Sequence, residues 1–254
     1  MEPLSRRIFE AVALTNRPLN QTIQLMFNLP VRHIRFFTPD VFELSLERQG
    51  YHFVPGQCAV LFADNDDSRP YSISSGAQEP VLSFLIRRIP GGALSTWLSE
   101  RRPGDTVRVS LPFGSFRPSG EQPSAVFVAT GVGISPFLSV LRGGSSGRWT
   151  CLYGVRQAED AVELSLLRRS SELHLAVSRE LAEGCFHGRV TGLLGSRPLP
   201  ADADWFLCGY DAMVDTVYDR LCMDGVNPAN IHTEVFFNSP VDEFTTIAKE
   251  QMFL

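Results

Sequence analysis

The chain has 254 residues, 44% of them hydrophobic and 20% charged, which is typical of a globular protein large enough for two medium domains. Its formal net charge of −5 argues against nucleic acid as a partner. No apolar run reaches the ~18 residues of a membrane-spanning helix. Five widely spaced cysteines indicate neither a disulfide framework nor an iron–sulfur cluster, and they favour a reducing, cytoplasmic location.

The first 30 residues are predicted to be an N-terminal extension with no clear place in either domain. Arg6 and Arg7 resemble the start of a twin-arginine export signal. No apolar region of useful length follows them, so we predict that they are not part of a signal peptide.

Residues 31–118 are predicted to form an antiparallel β-barrel. Short alternating runs are separated there by Pro, Gly and Asp turns, a spacing typical of a barrel or a sandwich. We predict strands at residues 31–37, 41–47, 59–62, 81–87 and 106–111. Residues 119–124 are then predicted to be a linker.

Residues 125–237 are predicted to form an α/β domain, because apolar strands alternate there with helical stretches. This alternation predicts a five-stranded parallel sheet flanked by helices, with ligands bound beyond the carboxyl ends of the strands. The predicted strands are 125–130, 150–155, 173–178, 205–208 and 231–236, and the helices are 136–142, 158–170 and 210–224. Residues 238–254 are predicted to be a C-terminal tail.

A glycine-rich turn, Thr130-Gly-Val-Gly-Ile-Ser-Pro136, joins the first strand of this domain to its first helix. Gly131 and Gly133 allow the backbone to approach a ligand closely. The free N–H groups of a helix start favour a pyrophosphate, and Pro136 suits the first helical turn. The alternative is a turn whose glycines serve packing alone.

Two motifs in the first half of the chain offer side chains that could bind a ligand with an aromatic ring and an anionic group. In the first, Tyr71 offers a flat ring for stacking, Arg69 could clamp a phosphate, and Ser72 offers a small hydroxyl. In the second, two glycines lead into a short helix whose first amides and Ser95 could bind an anion. The alternatives are an ordinary strand and an ordinary helix cap.

The order of these motifs resembles the ferredoxin–NADP reductase superfamily. Four motifs follow one another along the chain: Arg-x-Tyr-Ser at 69–72, Gly-Gly-x-x-Ser at 91–95, Pro-Phe-Gly-Ser-Phe at 112–116 and Thr-Gly-x-Gly-x-x-Pro at 130–136. Further matches are Tyr153-Gly-Val-Arg156, Ser178-Arg-Glu180, Gly188-Arg-Val190, Cys208-Gly209 and Ile231-His-Thr-Glu234. The resemblance covers roughly residues 31–237, and it implies a flavin on the barrel and a nicotinamide nucleotide on the α/β domain, without an iron–sulfur domain.

The resemblance implies a set of site residues. Those expected to hold the flavin, with FAD favoured over FMN, are Arg69, Tyr71, Ser72, Arg87, Gly91, Gly92 and Ser95. Those expected along the nicotinamide nucleotide are Thr130, Gly131, Gly133, Pro136, Cys208 and Gly209. Ser72, Cys208 and Glu234 occupy the hydride-transfer positions, although Cys208 could be a small buried residue and Glu234 a solvated charge. One of Arg87 and Arg88 is expected to be a solvated strand residue.

The choice of nucleotide depends on arginines near the strand ends. Arg156, Arg179 and Arg189, together with Ser178, match positions that read the extra ribose phosphate of NADP in bacterial members of the family. Glu180 directly follows Arg179 and resembles the acid of NAD-binding sites. We expect NADPH in preference to NADH.

These inferences predict a reductase in which NADPH reduces FAD and single electrons pass to a ferredoxin, a flavodoxin or an oxygenase. The alternatives are a flavin reductase with diffusible flavin, and a non-catalytic regulatory flavoprotein subunit. Arg6, Arg7, Arg32 and Arg35 could dock an acidic carrier. Phe236 and the tail are expected to cover the flavin or the adenosine, the alternative being a closing helix or disorder. The oligomeric state stays open.

Overall fold

The computed structural model describes residues 26–117, 124–144, 147–196, 200 and 202–235. Within these ranges no helix has the length and apolar character that crossing a membrane requires. An antiparallel sheet and a parallel sheet, each of six strands, follow one another along the chain. The predicted fold class is therefore confirmed.

The first sheet is barrel-like. Its strands are β1 (Phe27–Phe36), β2 (Val41–Glu47), β3 (Cys58–Phe62), β4 (Ser68–Ser72), β5 (Val81–Arg87) and β6 (Thr106–Val109), with helix α1 (Ala93–Ser99) after β5. They are ordered β4-β3-β6-β1-β2-β5. The bridge from Ile73 to Phe84 brings the edge strands β4 and β5 together around a core of buried Leu, Val and Phe side chains.

Strand β1 begins at Phe27, four residues before the predicted start. Residues 27–30 pair with β6, where Pro30 lies opposite Thr106. A proline has no N–H for the ladder and normally marks a strand end, which explains the late predicted start.

The second sheet is parallel and has helices packed on it. Its strands are β7 (Ala125–Thr130), β8 (Trp149–Val155), β9 (Glu172–Val177), β10 (Phe186–His187), β11 (Asp204–Gly209) and β12 (Ile231–Val235), ordered β10-β9-β8-β7-β11-β12. The helices are α2 (Ser135–Arg142), α3 (Leu164–Ser170), α4 (Val190–Leu194) and α5 (Asp211–Met223). The sheet has one strand more than predicted, since two-residue β10 is too short to show a periodic pattern.

The barrel and the α/β unit share an apolar cluster. Val41, Leu85 and Phe116 from the first part of the chain pack with side chains of β7, β8 and α2. This shared packing holds the two sheets together, and β3 and β4 meet the carboxyl end of β12.

Candidate functional site

A carboxyl, a hydroxyl and a thiol meet where the two sheets touch. Oε1 of Glu234 on β12 accepts a hydrogen bond from Oγ of Ser72 on β4 at 3.0 Å. The same oxygen accepts one from the thiol of Cys58 on β3. Cys208 on β11 is the register partner of Glu234 in the parallel sheet. The three predicted hydride-transfer residues are thus brought together.

Glu234 is not the solvated strand-end charge that was the alternative. Burial raises the pKa of its carboxyl from 4.5 to about 7, and the hydrogen bonds from Cys58 and Ser72 oppose that rise. Its Oε2 is buried and has no hydrogen-bond partner among the residues that the structure describes. Burial first, and then the Glu234 carboxyl, raise the pKa of the Cys58 and Cys208 thiols well above the ordinary value. The two thiols therefore keep their protons at neutral pH, whereas the Glu234 carboxyl changes its protonation state at about pH 7.

We expect the stability of the protein, relative to its Glu234→Gln variant, to fall between pH 4.5 and about 7. At lower pH the carboxyl is protonated in both the folded and the unfolded chain. Across the window the unfolded chain ionises first, and above it the folded protein must bury a carboxylate. The loss is on the order of 3 kcal/mol. Urea unfolding of both proteins across this range measures it, and a pH-independent difference would contradict it.

The glycine-rich turn packs backbone to backbone against the end of β11. A Cβ added to Gly133 would lie 2.4 Å from the carbonyl oxygen of Cys208. Gly209 has φ +136°, and its added Cβ would lie 2.2 Å from Oγ1 of Thr130. That hydroxyl also accepts a hydrogen bond from the Tyr210 N–H at 3.0 Å. Packing therefore requires both glycines at the edge of the sheet where the nucleotide is predicted to bind.

Gly131 is different, because a Cβ added there would meet no backbone atom within 4 Å. It has φ +53°, and the nearest atom to an added Cβ would be Nη2 of Arg87, 3.9 Å away. Arg87 reaches this turn from β5 of the barrel and lies 3.9 Å from the Asp160 carboxylate. Pro136 lies in the first turn of α2, as predicted. The turn is thus bordered by a cation from the other sheet.

On the barrel, Tyr71 and Arg69 lie on β4 beside Ser72. The ring of Tyr71 is partly buried and packs at the edge of the barrel core. The guanidinium of Arg69 is 43% exposed and pairs with Asp67 at 3.0 Å. Arg88, in contrast to Arg87, forms an exposed pair with Asp40. It is the solvated arginine of the two.

The loop before α1 is closed by a serine hydroxyl. Oγ of Ser95 accepts a hydrogen bond from the Ile89 N–H at 3.1 Å and lies 3.3 Å from the Gly92 carbonyl oxygen, to which it donates. Gly91 has φ +78°, and Gly92 precedes the first helical residue. The hydroxyl thus shapes the loop, while direct phosphate binding by Gly91, Gly92 and Ser95 stays a prediction.

The arginines predicted to read a ribose phosphate follow three adjacent strands. Arg156, Arg179 and Arg189 are exposed, and they come after β8, β9 and β10. Within the described ranges none of the three forms an ion pair. The Ser178 hydroxyl donates to the Val155 carbonyl oxygen at 3.3 Å. Glu180 Oε1 accepts the Ala158 N–H at 2.7 Å, so this carboxylate oxygen is occupied within the protein.

One residue of the cluster, Cys58, was missed by the sequence reasoning. It lies on β3 opposite Ser72, and its role depends on strand pairing that no local motif reveals. The prediction for Phe236 and the tail lies outside the described residues, as do Arg6 and Arg7.

Comparison with known proteins identifies the family. Residues 31–117 match the family model "Oxidoreductase FAD-binding domain". The chain is 31% identical over 229 residues to ferredoxin–NADP reductase B of Sorangium cellulosum, covering 79% of this chain and 93% of that protein. It is 33% identical over 205 residues to the reductase component of the naphthalene 1,2-dioxygenase/salicylate 5-hydroxylase systems of Ralstonia sp, covering 74% of this chain and 62% of that protein. It therefore spans less than two thirds of that reductase.

The fold agrees with this assignment. A ferredoxin NADP+ reductase from Neisseria gonorrhoeae, crystallised with FAD and NADP, superposes with a TM-score of 0.76 at 21% identity, over 84% of this chain and 99% of that one. The family predicted from the order of the motifs is confirmed by the near-complete coverage of the Sorangium reductase. The chain belongs to the ferredoxin–NADP reductase family.

Proposed function

We propose that this protein is a flavin-dependent oxidoreductase that transfers hydride between NADPH and bound FAD and exchanges single electrons with a protein partner. One observation carries the proposal: Ser72 of the barrel and Glu234 of the parallel sheet share a hydrogen bond beside Cys208. Such a junction lies at the carboxyl edge of a parallel sheet, where ligands of α/β folds bind. A buried carboxyl with an elevated pKa in that place supports a functional role.

The residues present fit both cofactors. Gly131 has φ +53° and leaves its turn free of a side chain, beside the Arg87 guanidinium, whose Nη2 lies 3.9 Å from an added Cβ. Tyr71 offers an aromatic face next to Ser72, and Arg69 offers an exposed guanidinium for a phosphate. When bound, the flavin supplies the conversion of a two-electron hydride into single-electron steps. Ser72, Cys208 and Glu234 align the reacting rings and fix the polarity around them.

The preference for NADPH follows from charge at the carboxyl edge. Arg156, Arg179 and Arg189 form an exposed cationic group that suits a ribose phosphate. Glu180 would be the acid that binds a free ribose hydroxyl in an NAD site. Its Oε1 is held by the Ala158 N–H, which weakens that competing interpretation.

Replacing Arg156 and Arg179 by Ala is expected to raise the KM for NADPH about 100-fold while changing the KM for NADH less than about threefold. Each guanidinium contributes a charge-assisted hydrogen bond worth roughly 1.5 kcal/mol. Steady-state kinetics with both nucleotides measure the ratio. The matched control is Arg88→Ala, which removes an exposed arginine of the barrel. Equal effects on both nucleotides would refute the preference.

The electron partner is proposed to be a ferredoxin, a flavodoxin or an oxygenase component. Of the relatives named above, one is a ferredoxin–NADP reductase and the other is the ferredoxin–NAD(P)+ reductase component of oxygenase systems. Arg32 and Arg35 are exposed on β1 and could face an acidic carrier, although Arg35 also pairs with Glu163 at 3.1 Å. We also propose residues 31–118 and 125–237 as the two domains. A cytoplasmic location agrees with the five free thiols.

Anaerobic titration of the purified protein with NADPH and with NADH, followed by release and identification of the flavin, tests the proposal. The expected result is a yellow protein that contains FAD and bleaches with NADPH. Colourless protein that needs added flavin would indicate a flavin reductase. Bound flavin that neither nucleotide reduces would indicate a regulatory subunit.

A further inference from the structure

Cys58 lies in the cluster but belongs to none of the motifs that identified the site. We propose that Cys58 is a positioning residue, whose thiol holds the Glu234 carboxyl against Ser72 across the contact between the two sheets. This proposal rests on the proposed function only for its consequence in hydride transfer. The hydrogen-bonded arrangement itself is a property of the chain.

The backbone around Cys58 is fixed from two sides. On one side Cys58 pairs with Ser72 in the β3–β4 ladder. On the other it exchanges two backbone hydrogen bonds with Phe113, each 2.9 Å long. The side chain is buried. Because the strand cannot shift, the thiol is held facing the same carboxyl oxygen that accepts the Ser72 hydroxyl.

The thiol is a donor under all ordinary conditions. Burial raises the pKa of Cys58 well above its usual range, so the sulfur keeps its proton and can donate it to Glu234. Oε1 of Glu234 receives two donors, while the described residues offer buried Oε2 none. Donors favour the ionised carboxyl, so loss of one should make Glu234 harder to ionise.

Few other groups near Glu234 could account for a titration in this cluster. Among the described residues, the side chains that interact with Glu234 are Cys58 from β3, Ser72 from β4 and Cys208 from β11. The pKa of Cys208 is also raised well above its ordinary value by burial, and the Ser72 hydroxyl does not titrate. A titration near neutral pH in this cluster therefore belongs to Glu234.

The test compares Cys58→Ala with the wild type in two measurements. The first is the ¹³C carboxyl titration of Glu234 in the full, flavin-free chain, assigned with Glu234→Gln. The second is the pH profile of single-turnover flavin reduction by NADPH in the loaded protein. Cys58→Ala is expected to raise both midpoints by about one pH unit. Cys58→Ser, which keeps a donor, is expected to return both midpoints most of the way to the wild-type value.

Cys151→Ala is the matched control, because Cys151 is a fully buried thiol of β8 that lies outside this cluster. It should change stability and leave both midpoints at the wild-type value. If Cys58→Ala does not fold, Cys58→Val removes the donor and fills the space. If Glu234 titrates with the wild-type midpoint in Cys58→Ala or in Cys58→Val, the proposal is overturned. A wild type that NADPH cannot reduce refutes the proposed function instead, and the carboxyl titration still decides the role of Cys58.

Discussion

Replacing Gly209 by Ala is expected to abolish NADPH-dependent flavin reduction and to lower the free energy of unfolding by about 3 kcal/mol or more. The new Cβ would lie 2.2 Å from Oγ1 of Thr130 and 2.9 Å from its carbonyl oxygen. Backbone atoms cannot rotate away, so β11 must separate from the glycine-rich turn. That separation would displace Cys208, the neighbour of Gly209 in the cluster. Urea unfolding and stopped-flow bleaching of the flavin measure the two effects.

Gly225→Ala is the control for this variant. Gly225 has φ +86°, but no atom lies within 4 Å of its added Cβ. It therefore reports only the backbone strain of a left-handed residue, about 1–2 kcal/mol, with turnover unchanged. If Gly209→Ala behaved like Gly225→Ala, the close packing of the turn would not matter for the site.

These glycines also show what sequence reasoning could and could not give. The pattern of the turn predicted a close backbone approach, and it left open whether a ligand or the protein made that approach. In the structure, the group that approaches the backbone differs between the two glycines of the turn. A Cβ added to Gly133 would meet the backbone of Cys208 and Gly209, whereas one added to Gly131 would touch only the end of the Arg87 side chain. A local motif cannot distinguish these cases, because the contacting strand is about 75 residues away in the chain.

The same limit applies to the rest of the fold and the site. A strand with alternating apolar residues, such as β2, and a helix with a clear period, such as α5, could be predicted from local pattern. Two-residue β10 and the segment of β1 around Pro30 could not, because pairing with neighbours decides them. Ser72 and Glu234 were found through family motifs. Cys58 was missed because only the pairing of β3 with β4 gives it a partner.

Replacing Arg142 by Met is expected to lower the free energy of unfolding by about 3–5 kcal/mol. Nη1 of Arg142 lies 2.7 Å from Oε1 of Glu43 on the barrel, and both side chains are nearly buried. The guanidinium also donates to the Ser74 carbonyl oxygen at 3.0 Å and lies 3.4 Å from Glu163. Without Arg142 the Glu43 carboxylate stays buried and has no ion-pair partner among the residues that the structure describes. Urea unfolding measures the loss.

Two further variants separate the causes. Arg88→Met breaks the exposed pair with Asp40 and should cost less than about 1 kcal/mol. The double variant Glu43→Gln with Arg142→Met removes the stranded charge and should recover part of the stability. If Arg142→Met lowered the free energy of unfolding as little as Arg88→Met, the Arg142–Glu43 ion pair between the barrel and the α/β unit would stabilise the protein no more than an exposed pair does.

Arg142→Met also tests how the two sheets cooperate in hydride transfer. Arg142 ends the helix that starts at the glycine-rich turn, and it ties that helix to β2 of the barrel. The nucleotide is proposed to bind the α/β unit, whereas the Ser72–Glu234 contact needs both units in register. Arg142→Met should therefore lower the rate of flavin reduction about 10- to 100-fold and leave the KM for NADPH nearly unchanged. A rise in KM with an unchanged rate would instead show that Arg142 supports the nucleotide site and not the junction.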